Sequence, residues 1–347
     1  MDNLDNIKFL KTDDNSTGLY SENVKDIFHS KSGALTEANE KFIEPIKILV
    51  QRKSELNVLD ICFGIGYNSK ALLHSYPQIK INIDALEYNL NYILLSPFIK
   101  DCIDDISLRY FLLKKIEINL NTNLDFYTSL LLEVQNQNKE FFDSSISFFD
   151  RFISKSPYTF NLTSQNNCFL HNIYYEYISN RPMYSIDLNK FCNSSINFHI
   201  GDGRKTIKFC NKKYDVVFLD AFSSQKDPTL WTIDFLRLIS QRINENGILV
   251  SYSKATPFRS ALKELGFCVG KTYINNVDMG TVASFDKDNI TNYLTDYDIQ
   301  LIKTRSGITY KDSLLSLSPN DILLQREIEQ KNSSLISHTQ FLKFYKK

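Results

Sequence analysis

Val58-Leu59-Asp60-Ile61-Cys62-Phe63-Gly64-Ile65-Gly66 is the stretch that decides the fold. An apolar, strand-like run reaches an acidic residue and then turns through two glycines. A helical pattern follows at once, from Asn68 to about Tyr76. Glycine has no Cβ, so such a turn lets the backbone come close to a nucleotide-like ligand.

Pro77 closes that unit, and Ile79–Glu87 reads as a second strand that again ends in a carboxylate, completing a βαβ unit. Upstream, an amphipathic segment from about Leu35 to Val50 follows a polar leader, and Pro45 breaks it into a kinked helix or two pieces. Between about Lys100 and Lys190 the alternation stops, and a mainly helical insertion is expected. The rhythm returns with a strand at Ile196–Ile200 leading to Gly201-Asp202-Gly203, then the apolar strand Asp215–Asp220, buried on both faces. A helix from about Trp231 to Ile243 is expected to stop at Asn246-Gly247, before a strand at Ile248–Tyr252. Pro257 opens a further helix and Gly266 ends it. Phe267–Tyr273 and Thr281–Phe285 then follow with no helix between them, as an antiparallel hairpin at the sheet edge. Another helix is expected near Asp321–Gln330. A hairpin closing a run of βα units resembles the class I (Rossmann-like) S-adenosylmethionine-dependent methyltransferase fold and not a plain dinucleotide-binding one. The expected architecture is α/β, with a seven-stranded, mostly parallel sheet. It divides into an N-terminal segment (1–50) packing on the core, a methyltransferase domain (51–285) carrying the insertion at about 100–190, and a C-terminal extension (286–347).

Composition narrows the class. Forty basic and forty acidic residues balance over 347, so a polyanionic partner would need a local patch. Six cysteines are scattered without a CxxC pair, and five histidines form no ligand-spaced cluster, which argues against a zinc site and a disulfide framework. No metal is expected. The acidic, polar start Met1-Asp2-Asn3-Leu4-Asp5 does not fit a signal peptide, and no apolar stretch approaches the roughly 18 residues of a membrane span. A cytoplasmic protein with no membrane partner is the expectation.

The glycine turn departs from the dinucleotide fingerprint, since Ser69 stands where a third glycine would allow tight helix packing. Glu87 lies about twenty residues on, the spacing at which a carboxylate accepts bonds from ribose hydroxyls. Asp202 is placed to accept a bond from an adenine amino group. Asp60, Glu87, Asp202 and Asp220 would all sit on the rim where such sheets bind ligands. That rim welcomes a sulfonium and repels a pyrophosphate.

The run Val216-Val217-Phe218-Leu219-Asp220-Ala221-Phe222-Ser223-Ser224-Gln225-Lys226-Asp227-Pro228-Thr229-Leu230-Trp231 carries a resemblance. It is similar to the methyltransferase domain of the bifunctional tRNA-modifying MnmC family, whose pattern is met at Leu219, Asp220, Phe222, Lys226, Pro228 and Trp231. Asp26–Ser30 with Gly33–Glu37, Phe63–Asn68, Ser251–Phe267 and the Arg305–Asp312 tail of stand-alone members agree with it, so the resemblance covers about 20–100 and 195–330. Ser223-Ser224-Gln225 replaces the family's usual Ala-Pro-Ala, and Asn275–Gly280 lacks a basic stretch found in some bifunctional members. No second domain with an FAD fingerprint follows.

The resemblance implies S-adenosylmethionine as cofactor, held by Asp60, Phe63, Gly64, Gly66, Asn68, Glu87, Asp202 and Asp220. It implies N-methylation of 5-aminomethyl-(2-thio)uridine at the tRNA wobble position, with tRNA as partner and a separate enzyme supplying the aminomethyl intermediate. An alkylammonium must lose a proton before it attacks a methyl group; Asp220 would accept that proton, orient the amine, or only bind the cofactor. Phe222 and Trp231 are candidates to stack on the base, with core packing the alternative for Trp231. Lys226, Lys254, Arg259 and Lys263 are candidates for phosphate contacts, as is the basic run Arg204-Lys205 with Lys208, Lys212 and Lys213. Two other readings remain: a polyamine aminopropyltransferase of the same fold, and a non-catalytic adaptor that binds RNA.

Overall fold

Ile7-Lys8-Phe9-Leu10-Lys11, three of its five side chains apolar, pairs into a sheet where the sequence suggests only a polar leader. The computed structural model describes residues 7–22, 25–28, 33–103, 105–120, 139–141 and 189–345. In chain order come β1 (Ile7–Lys11), β2 (Thr17–Ser21), β3 (Asp26–Ile27), α1 (Ala34–Ala38), α2 (Lys47–Gln51), β4 (Glu55–Ile61), α3 (Tyr67–Ser75) and β5 (Lys80–Glu87). Then follow α4 (Leu90–Leu95), α5 (Ile106–Leu120), β6 (Ser195–Ile200), α6 (Gly203–Thr206), β7 (Tyr214–Leu219), α7 (Ile233–Ser240) and β8 (Ile243–Ser251). α8 (Thr256–Glu264), β9 (Cys268–Ile274), β10 (Val277–Ser284), α9 (Asp296–Ile302), α10 (Pro319–Asn332) and α11 (His338–Tyr345) complete it.

The seven-stranded sheet has the order β6-β5-β4-β7-β8-β10-β9. β4 and β8 run parallel to β7, and β10 runs antiparallel to both β8 and β9. This is the class I methyltransferase sheet, closed by its hairpin. The hairpin turns at Asn275 and Asn276, with φ of +49° and +64°, a conformation asparagine tolerates better than most residues. β7 is buried along its whole length, as a strand covered on both faces must be.

Two compact units make up the chain: the described parts of Met1–Glu37, Gly64–Ile81 and Asn89–Phe198, and those of Ala38–Phe63, Asn82–Tyr88 and His199–Lys347. In the first, β1, β2 and β3 form a three-stranded sheet. Asp14 lies in its first turn and accepts from Thr12 Oγ1, from the N–H and hydroxyl of Ser16, and from the N–H and hydroxyl of Thr36. Burial opposes ionisation of Asp14, but these bonds win and lower its carboxyl to about 2. In the same unit Lys70 of α3 is buried, donating to Asp101 at 2.9 Å and to the Ser96 carbonyl at 2.6 Å, while Arg109 of α5 takes the other Asp101 oxygen at 2.9 Å. Of the expected insertion, α5 and a short 3-10 turn at Lys139–Phe141 are described; the remainder lies outside the described residues.

In the second unit the core gathers Leu59, Val217, Leu219, Trp231, Phe235 and Phe258 from strands and covering helices. The break expected at Pro45 is a π-turn at Asn39–Ile43 followed by a 3-10 turn at Glu44–Ile46. Asn246-Gly247 does not stop a helix. α7 ends earlier, at Ser240, and these two residues lie inside β8. There the β7–β8 register shifts between Tyr214 and Val216. A Cβ on Gly247 would stand 2.8 Å from the Tyr214 carbonyl oxygen, so only glycine fits this bulge.

Candidate functional site

The backbone past β4 is strained. Cys62 has φ of +67°, rare for a residue with a side chain, and Gly64 and Gly66 follow at +56° and +83°. The N–H groups of Cys62 and Phe63 both donate to the Leu86 carbonyl, each at 3.0 Å, which ties the start of the loop to the end of β5. In the first unit, Gly66 caps α3 and its carbonyl accepts from Lys70 N at 2.8 Å, while Asn68 and Ser69 are buried in the helix.

Asp60 is buried within β4, which runs one residue further than expected, and Glu87 is buried at the end of β5. Asp220 follows β7 directly, and its N–H donates to the Ile61 carbonyl at 3.2 Å. Burial, then the charges of Glu87, Asp220, Asp227 and Asp60, push the Cys62 thiol well above its usual range. Glu87, Asp220, Asp227 and Asp60 therefore all act on Cys62 and give it an acidic neighbourhood. Cys62 itself was not singled out by sequence, because a left-handed cysteine has no sequence signature. Tyr88, next to Glu87 and 71% exposed, is a second neighbour that spacing did not point to.

Asp202 differs from the other acids. It caps α6, and Arg204 grips both its oxygens: Nε lies 3.1 Å from each and Nη2 is 2.7 Å from Oδ2. Burial would raise the Asp202 carboxyl, but Arg204 holds it below its usual range. Arg204 therefore cannot serve as part of a phosphate-binding run. Lys212 pairs with Asp84 and Lys213 donates to the Gln241 carbonyl, while Lys205 and Lys208 are exposed.

After Asp220, the chain turns at Ser223, whose carbonyl accepts from Lys226 N and Asp227 N. Asp227 in turn accepts from Thr229 N at 3.0 Å and from its hydroxyl at 2.6 Å. Phe222 is half-buried and Lys226 exposed. Trp231 is 0% exposed, packed edge-on to Phe258 with ring centres 4.9 Å apart, and its Nε1 donates to the Phe222 carbonyl at 2.7 Å. It cannot stack on a base. The same correction applies to Arg259, which is 4% exposed and donates to Thr281 Oγ1, the Gly280 carbonyl and Asp278. Its guanidinium anchors the closing hairpin and meets no phosphate. Lys254 remains exposed, with Nζ 3.2 Å from the Asp278 carbonyl.

Among the described residues, no group of three or more His, Cys, Asp or Glu could hold a metal ion, and no helix is long and apolar enough to cross a membrane. A family model described as S-adenosyl-L-methionine-dependent methyltransferase matches residues 166–275. The crystal structure of MNMC2 from Aquifex aeolicus superposes with a TM-score of 0.60 at 24% identity, covering 94% of this chain and 84% of that one. Fold and family model define the class: an S-adenosylmethionine-dependent methyltransferase of class I. The acidic rim fits its sulfonium cofactor, because the carboxylates near Cys62, which add to burial in raising its thiol, would attract a positive charge.

Within that class the chain belongs to the family of the uncharacterized protein MJ0670 of Methanocaldococcus jannaschii, to which it is 31% identical over 320 residues, 92% of this chain and 71% of that protein. The tRNA 5-methylaminomethyl-2-thiouridine biosynthesis bifunctional protein MnmC of Campylobacter hominis is 25% identical over 115 residues, 33% of this chain and 17% of that protein.

Proposed function

We propose that this protein methylates the amine of 5-aminomethyl-(2-thio)uridine at the tRNA wobble position. The observation that carries the reading is that backbone bonds tie the ends of three strands together, Asp220 N–H to the Ile61 carbonyl and the Cys62 and Phe63 N–H groups to the Leu86 carbonyl. This brings Asp60, Glu87 and Asp220 to one acidic neighbourhood around Cys62. Such a rim suits a cationic methyl donor and equally an alkylammonium substrate. S-adenosylmethionine supplies an electrophilic methyl group when bound.

This chain's residues do the rest. Glu87 would accept hydrogen bonds from the ribose hydroxyls, Asp202 would accept from the adenine amino group, and Asp60 and Phe63 would shape the wall beside them. Asp220 orients the substrate ammonium and takes its proton, leaving the lone pair for attack. Phe222 stacks on the base; Lys226 and Lys254 contact phosphates. The catalytic domain spans 51–285, with the insertion at about 100–190 and an extension at 286–347, and a separate enzyme supplies the aminomethyl group.

Nucleoside analysis of tRNA from cells lacking the protein tests the reading. Accumulation of 5-aminomethyl-(2-thio)uridine with loss of the methylated form is expected. An unchanged profile removes the tRNA assignment, and aminopropyl transfer to a polyamine by the purified protein would replace it.

A further inference from the structure

The C-terminal segment is built into the cofactor end of the sheet through one arginine. Arg204 Nη1 donates to Asp312 Oδ2 at 2.8 Å and to the Leu317 carbonyl at 2.9 Å. Its backbone N–H, Nε and Nη2 all go to Asp202. Asp312 is 0% exposed, and its other oxygen accepts from the N–H groups of Ser316 and Leu317. Its own N–H donates to Asp234 at the start of α7, at 2.7 Å. Two residues earlier, Tyr310 forms a parallel bridge with Thr232 and accepts from Ile233 N at 2.9 Å. A continuous set of bonds thus runs from α7 through the segment ending at Leu317 to the carboxylate of Asp202.

We infer that Arg204 and Asp312 are positioning residues, and that the C-terminal segment fixes Asp202 for the adenine end of the cofactor; this rests on the function proposed above. A carboxylate offers roughly four acceptor sites. The three N–H donors of Arg204 make four contacts with it, Nε being shared between the two oxygens, and the side chain is still 23% exposed to a further donor. Two-oxygen capture sets the plane of the group as well as its place, which a lysine at 204 would not do. Stability alone accounts poorly for the arrangement. Burying an ion pair is often no better than an apolar substitute of the same size, whereas it does hold a group in one orientation.

Arg204→Lys and Asp312→Asn test this. Binding of S-adenosylhomocysteine and of its inosine counterpart, which carries a 6-oxo group in place of the 6-amino group, is measured by calorimetry, with a thermal melt of each unliganded protein. Wild type should prefer the adenosyl compound by on the order of 100-fold or more, since a site made for an N–H rejects a ligand lacking it. Either variant should bind S-adenosylhomocysteine about tenfold more weakly and lose a similar factor of preference, the equivalent of one charge-assisted bond. A lowered melting temperature with unchanged affinity and preference would make the pair mere scaffold and overturn the inference. If Arg204→Lys does not fold, Asp312→Asn, which keeps shape and drops charge, decides alone. A wild-type protein that binds neither compound would instead sink the cofactor reading beneath it.

Discussion

Asp202 and Asp220 each stand just beyond a strand of one sheet, yet they meet opposite surroundings. Asp202 is gripped by a guanidinium on both oxygens. Asp220 shares its neighbourhood with the carboxylates that raise the Cys62 thiol. The first is a fixed acceptor held by a guanidinium; the second stands in an acidic neighbourhood. Position after a strand therefore does not make two acids equivalent. Under the proposed function, it is Asp220 that handles the proton.

The sharpest way to break that comparison is to neutralise each acid in turn. Asp220→Asn should cost about 10²–10⁴-fold in turnover, the range for a positioned acid or base, with cofactor affinity changed only a few-fold. Asp202→Asn should do the reverse, weakening binding while turnover at saturating cofactor persists. Steady-state kinetics and calorimetry on both proteins read the contrast, and equal losses in both assays would erase it.

Next in size is the loop between them and the substrate. Trp231→Ala should destabilise the fold by about 3–5 kcal/mol, as loss of a large core side chain does. Phe222→Ala should leave chemical denaturation nearly unchanged and instead weaken RNA affinity. If Phe222→Ala melted the protein as severely, the exposed half of the loop would also be scaffold.

The smallest effect concerns a third aspartate, Asp84, inside β5. It meets His199 Nε2 at 3.2 Å and the Tyr214 hydroxyl at 2.9 Å. Its hydrogen bond, with help from Cys210 and against burial, raises His199 to about 9. A raised histidine stabilises the fold fully below its unfolded value of about 6.5 and loses that contribution as pH climbs through about 9. Melting temperature should therefore decline gently across that window, and Asp84→Asn should flatten the decline. An identical slope in both proteins would detach His199 from the effect.

Much of the fold was legible because local rules and tertiary structure agree. The glycine turn, Glu87, the apolar run to Asp220, the Pro257–Gly266 helix and the closing hairpin all follow period, punctuation and backbone conformation. The failures share a cause: their deciding partner is distant in sequence. Asn246-Gly247 looks like a helix stop until Tyr214 lies against it as a neighbouring strand. Arg259 looks like a phosphate ligand until Asp278 and Thr281 face it from β10. Trp231 looks like a stacking platform until its indole finds the Phe222 carbonyl. Arg204 looks like one member of a basic run, and Asp312 like part of a tail, until each meets the other. The short strands β1 and β2 were missed because their pairing is set by the turn around Asp14, not by length, and β3 is only two residues long. Of the four acids expected on one rim, Asp60, Glu87 and Asp220 act electrostatically on Cys62, which sequence does not single out, and Asp202 is paired with Arg204.

The Leu86 carbonyl, which takes the amides of Cys62 and Phe63 together, has a consequence for how the loop breathes. Neither amide can reach solvent without giving up its bond to that oxygen, and since the two residues are adjacent in the chain, a displacement that opens one carries the other with it. In hydrogen-exchange experiments the two should exchange at matched rates, slow for a loop, as part of the β4–β5 pair and not of the turn they introduce.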